Sequence, residues 1–173
     1  MTGLDAWLRG PVEGVPELLM PVAHALIQTP EDVERAAGLD VEQTWMRPGG
    51  AASVGFHLRH IAGVVDRLFT YARGEELDAE QLEALRAEAG PGDPRPSAED
   101  LLRRLREVIE RALAQLRGTP PETLLERREV GRKKIPSNVL GLLFHAAEHA
   151  QRHTGQVVAT AKIIRGIPSS GAW

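Results

Sequence analysis

Four stretches of this chain repeat apolar side chains every three to four residues, and each is bounded by proline, glycine or a capping side chain. That spacing lines apolar groups along one side of an α-helix, so it predicts four amphipathic helices. The first covers about 14–28, with Val15, Leu18, Leu19, Val22 and Leu26 as its stripe. Pro16 suits an opening turn, and Pro21 is expected to kink the helix. A connector dense in turn formers follows, with one helical turn expected at "PEDVERAA". The second helix, about 51–73, carries Val54, Leu58, Ile61, Val65, Leu68 and Ala72 and should stop at Gly74. "LDAEQLEALRAEAGPGDPRP" begins in helical style before its Pro/Gly cluster breaks it. The third helix starts at "SAED", where a serine and an acid three residues on can cap free amides, and runs to Arg117 before Gly118. Its core side is Leu101, Leu102, Leu105, Val108, Ile109, Leu113 and Leu116, with a solvated charged face opposite. "EVGRKKIP" is long enough only for a small hairpin or an extended loop. The fourth helix spans about 137–165. With no alternating run left to build a sheet core, the expectation is all-α: one domain over residues 1–173, a four-helix bundle whose sites are made by side chains of facing helices.

Composition excludes several functions. The 173 residues are 42% hydrophobic, enough for a core without disulfide or metal staples. A net charge of −3 provides no electrostatic footprint for nucleic acid. No stretch approaches the roughly 20 apolar residues that span a bilayer, and the N-terminus lacks a basic region followed by an apolar one, so the expectation is a cytoplasmic protein without a membrane partner. The absence of cysteine removes thiolate ligands and a cysteine nucleophile together. Any thiol chemistry must use a thiol that arrives with the substrate.

Five of the six histidines fall in two short clusters: His57 and His60 in "SVGFHLRHIAG", and His145, His149 and His153 in "HAAEHAQRHTGQ". On the fourth helix the apolar side is centred near Ala146 and marked by Val139, Leu142, Ala150, Val157 and Ile164. His153 falls within it, His149 on its shoulder and His145 toward the rim. On the second helix the stripe is centred near Ile61, with His57 at its shoulder and His60 further out, so burial alone selects His57. His24 points away from its helix's stripe and reads as a surface residue. A pair at i and i+4 can offer two nitrogens to one ion, and a third from a facing helix completes a set that leaves positions open for water or substrate. Packed imidazoles also disfavour one another's protonation, and a divalent metal uses the neutral form. The pattern alone leaves a metal site and a set of hydrogen-bonded histidines both open.

Two other motifs compete. "HAAEH" matches the His-x-x-Glu-His pattern of inverted-motif zinc proteases, with Glu148 as general base, but leaves His153 and the second-helix histidines without a role. A ferritin-like di-iron bundle needs Glu-x-x-His pairs, and neither His149 nor His153 has one.

"SVGFHLRHIAG" resembles the second helix of DinB-like proteins, whose apolar pattern leads into a histidine followed by Leu or Ile; Val54, Leu58 and Ile61 align His60 with that position. "HAAEHAQRHTGQ" resembles the family's last-helix signature, two histidines four apart before a segment ending Gly-Gln, with Thr154 where arginine is common. The resemblance implies an up-down-down-up four-helix bundle, often dimeric, with a divalent metal held by His60, His149 and His153, zinc and nickel leading. His57 becomes a hydrogen-bond partner of a ligand, and His145 the spare on the last helix. Relatives include bacillithiol transferases and mycothiol-dependent maleylpyruvate isomerase, so the implied activity is a metal-dependent transferase or isomerase joining a low-molecular-weight thiol to an electrophilic small molecule. The alternative is a non-catalytic metal-binding or stress-associated bundle protein. Gln156 and Tyr71 stand near the site on helical spacing, where helix stabilisation and packing explain them equally well or better.

Overall fold

Pro21 opens the first long helix instead of bending it. In the computed structural model, which describes residues 4–166 apart from the Arg35 side chain, α1 is Met20–Val33 and its proline lies in the first turn, where no intrahelical N–H is required. The residues before it, Glu17–Leu19, form a 3-10 turn. That tighter winding turns Leu18 outward, 66% exposed, whereas Val15, Leu19, Val22 and Leu26 are buried as the stripe requires. α1 also runs past Pro30, and a further 3-10 turn, Glu34–Ala36, continues it. Burial of Val33 and Ala36 outweighs the hydrogen bond that Pro30 cannot donate.

The short α2, Val41–Trp45, was not signalled by periodicity; it is held by a reciprocal cap between Asp40 and Gln43. α3, Val54–Ala72, starts where Ser53 accepts from the Phe56 amide and ends before Gly74, whose φ of +80° favours glycine. α4, Ala79–Ala87, has its own reciprocal cap, Asp78 with Gln81. The "SAED" signal is realised at α5, Ala98–Arg117, where Ser97 and Asp100 cap each other. "EVGRKKIP" forms a hairpin of β1, Arg127–Val130, and β2, Ile135–Asn138, paired antiparallel with Val130 opposite Ile135. α6 is Val139–Gly166.

The four long helices share a core in which Leu26, Leu58, Ile61, Leu105, Leu116 and Leu143 are fully buried. Each such side chain contributes about 2 kcal/mol relative to exposure. Leu113 lies at the edge of this core, only partly buried. α6 packs against both α3 and α1, and α5 closes the ring against the same two helices. Contacts progress in opposite directions along α3 and α6, where His57 meets His153 and His60 meets His149. They progress in the same direction along α3 and α5, from Asp66 with Arg111 to the Phe69 carbonyl with Gln115. The α1 side of α6 follows the same sense, from Ala25 with Gln151 to the Ala37 carbonyl with Arg165. Among the described residues no helix is long and apolar enough to cross a membrane.

Candidate metal centre

Periodicity places the histidines, and packing turns them toward one another. Val54, Leu58 and Ile61 anchor one side of α3 in the core, which leaves His57 buried beside them and His60 half-buried one step outward. On α6 the residues named for the core face, Val139, Leu142, Ala146, Ala150, Val157 and Ile164, are all buried. His149 and His153 emerge half-buried at its margin toward α3, while His145 is exposed.

The rings meet nitrogen to nitrogen. His60 Nε2 lies 2.9 Å from His149 Nε2, and His57 Nδ1 lies 2.8 Å from His153 Nδ1. The His153 ring centroid is 4.5 Å from that of His60 and 4.7 Å from that of His149. One ring nitrogen from each of His60, His149 and His153 falls within 4.8 Å of the other two, so the three could hold a metal ion. His60 Nδ1 is 2.9 Å from a carboxylate oxygen of Glu88, to which only a protonated nitrogen can donate; Nε2 then carries the lone pair. His153 has Nδ1 engaged with His57, which leaves Nε2 as its free donor atom.

Electrostatics favours neutral rings. His153 is pushed down to about 4, by burial first and then by His60, His149, His57 and Arg152. Burial followed by His60 also lowers His149 and His57. Burial thus favours the uncharged form of the His57, His149 and His153 rings, the form a divalent ion requires. His149 Nδ1 is buried without a hydrogen-bond partner, a cost that a purely structural contact would be expected to avoid. These features fit a cation among the three rings: converging ring nitrogens and, at His149 and His153, low proton affinity.

The neighbouring candidates sort clearly. His57 touches His153 and lies outside the three-nitrogen group. His145 bonds Glu148 at 3.1 Å. Glu148 itself pairs with Arg152 at 2.7 Å; burial pushes its carboxyl up, but Arg152 and His145 outweigh that and hold it below the usual carboxylate range. A carboxylate neutralised by arginine is poorly placed to be the base of an inverted protease motif. Tyr71 lines a cleft with the hairpin residues Arg127 and Gly131 rather than joining the histidines, and Gln156 is exposed. His24 is half-buried instead of free on the surface, its Nε2 2.9 Å from the Gly10 carbonyl, which ties the N-terminal segment to α1. Residue reading missed Glu88, which follows the last residue of α4 in the segment read as beginning helically. It also missed Phe56, which stacks on His60 with centroids 5.3 Å apart and planes 12° apart. Phe56 lines a groove of about 430 Å³ together with Trp45, Arg47, Ser53, Pro91 and Arg95.

Residues 25–157 match the family model described as the DinB superfamily, a span that contains both histidine clusters and Glu88. No curated protein matches the chain.

Proposed function

The chain belongs to the DinB superfamily, and from that premise we propose that its histidine cluster is a divalent-metal centre serving a transferase or isomerase that uses a small thiol. His60, His149 and His153 are the proposed ligands, and zinc or nickel the proposed ion. The observation that carries this reading is the convergence of three imidazole nitrogens from two helices, with other groups occupying the second nitrogen of His60 and His153. The contact progressions between helices support an up-down-down-up bundle as its frame. When bound, a divalent ion supplies Lewis acidity, which keeps a small thiol in its thiolate form near neutral pH.

The chain's own residues bind and orient. His57 Nδ1 holds the His153 ring, and Phe56 covers one side of His60. The groove beside Phe56, which stacks on His60, gives an electrophilic small molecule a place near the cluster, with an aromatic wall from Trp45 and Phe56. With no cysteine in the chain, the nucleophilic sulfur belongs to the co-substrate.

Protein purified without an affinity tag is expected to carry, or to take up from added zinc or nickel, about one ion per chain. The loaded protein should then accelerate conjugation of a small thiol to monochlorobimane, and chelation should abolish that rate. Uptake without turnover across a panel of thiols would favour a metal-binding protein without catalysis. No uptake of either ion would remove the metal centre.

A further inference from the structure

We infer that Glu88 is a positioning residue for the cluster: it holds His60 in its Nδ1–H form and so keeps Nε2 turned toward His149 and His153. This role rests on the metal reading above.

Four α3 residues, Arg59, His60, Gly63 and Arg67, lie on one side of the helix and together receive the segment that ends α4. Arg59 donates to the carbonyls of Ala87 at 3.1 Å, Pro91 at 2.8 Å and Gly90, and its guanidinium lies 5.0 Å from the Trp45 ring. That clamp delivers Glu88, a buried carboxylate. One oxygen accepts from His60 Nδ1 at 2.9 Å, and the other accepts from Arg67 at 3.1 Å. A Cβ on residue 63 would stand 2.6 Å from Arg67 Nη1 and 3.1 Å from Glu88 Oε1, so glycine leaves the room in which the pair meets His60. Glycine inside a helix costs about 0.5–1 kcal/mol relative to alanine, and here the close approach explains its presence.

Arg67 offsets the charge of Glu88. The carboxylate therefore acts on the site mainly through the direction and protonation of the His60 ring, as a partner behind a ligating imidazole does. Without it, His60 is free to rotate and to adopt the Nε2–H form that an unconstrained imidazole prefers, which removes the lone pair from the atom facing His149.

Two measurements test this on wild-type protein and on Glu88→Ala: ring-nitrogen NMR correlations of His60 in metal-free protein above pH 7, and zinc affinity by chelator competition. Wild type is expected to show Nδ1–H. Glu88→Ala is expected to shift His60 toward Nε2–H and to weaken zinc binding about 10-fold. Glu88→Gln keeps an oxygen facing Nδ1, so it should retain the Nδ1–H form with the ring N–H proton resonance moved upfield, because a neutral acceptor replaces a charged one. If the alanine variant does not fold, the glutamine variant decides, and an unmoved resonance overturns the inference. Wild type in the Nε2–H form, or an alanine variant with unchanged tautomer and affinity, overturns it while leaving metal binding intact. Wild type that binds no zinc or nickel overturns the metal reading and this inference with it, whatever the tautomer.

Discussion

The polar contacts that α6 makes with α1 through Gln151 and with α3 through its histidines are built on opposite principles. Toward α1, Gln151 donates to the Ala25 carbonyl at 2.7 Å and to the Thr29 hydroxyl at 3.0 Å, and Thr29 itself donates to Ala25 at 2.9 Å. Each donor finds an acceptor, and the contact is complete within the protein. Toward α3, imidazole nitrogens face imidazole nitrogens, His149 Nδ1 has no partner, and the rings resist protonation. The first arrangement stabilises the bundle by itself. The second leaves ring nitrogens converging where a cation could be held, and that difference separates a structural polar contact from a candidate site on the same helix.

The largest effect that would sharpen this contrast is on metal binding. Replacing His60, His149 or His153 singly with Ala should weaken zinc affinity by at least about 10-fold, about 1.4 kcal/mol, whereas Gln151→Ala should leave it unchanged. Chelator competition reads both, and equal losses on the two sides of α6 would erase the distinction.

Acidification comes next. In metal-free protein the folded His153 value of about 4 lies below its ordinary 6.5, so as pH falls the unfolded chain takes up the proton first. The resulting stability is fully present above about pH 6.5 and is lost as pH falls toward 4; the lowered His149 and His57 act in the same direction. Denaturant midpoints across that interval should decline on the acid side, and His153→Ala should flatten the slope. A flat wild-type profile would mean that the rings do not resist protonation as their burial requires.

On the α1 side, Gln151→Ala should cost about 1 kcal/mol in chemical denaturation without altering that pH slope. The smallest effects belong to the outer histidines. His57→Ala should reduce zinc affinity less than any ligand replacement, and His145→Ala should produce no measurable change. Loss of the metal in His57→Ala with retention in His60→Ala would show that the α3 ring facing the ion has been misassigned.

Much of this frame is legible in the residues. Ser97 with Asp100, Gly74, and the α6 face from Val139 to Ile164 all act through local spacing, and local spacing is visible along a chain. The misreadings have longer-range causes. Leu18 follows the helical stripe in sequence but sits in a 3-10 turn, and the helical turn expected separately at "PEDVERAA" is joined to the first helix, which runs past residue 28 as Val33 and Ala36 are buried. α2 was announced only by the reciprocal cap of Asp40 with Gln43, a short signal without an apolar stripe behind it, whereas the helical start of "LDAEQLEALRAEAG" is realised as α4. At the site, helical spacing brings His149 and His153 to one side of α6, but burial on α3 points to His57, and only the resemblance to DinB-like proteins singles out His60.

By itself, then, the sequence determined four amphipathic helices and two rows of histidine on two of them, because a 3.6-residue repeat acts over a few turns of chain. Only the tertiary structure decided which nitrogens meet, that His57 sits behind His153, and that Glu88 stands behind His60. Those contacts join residues 28 to 96 positions apart. They depend on how α4 folds back over α3 and how α3 lies against α6, and a single helix carries no record of what its neighbours will place against it.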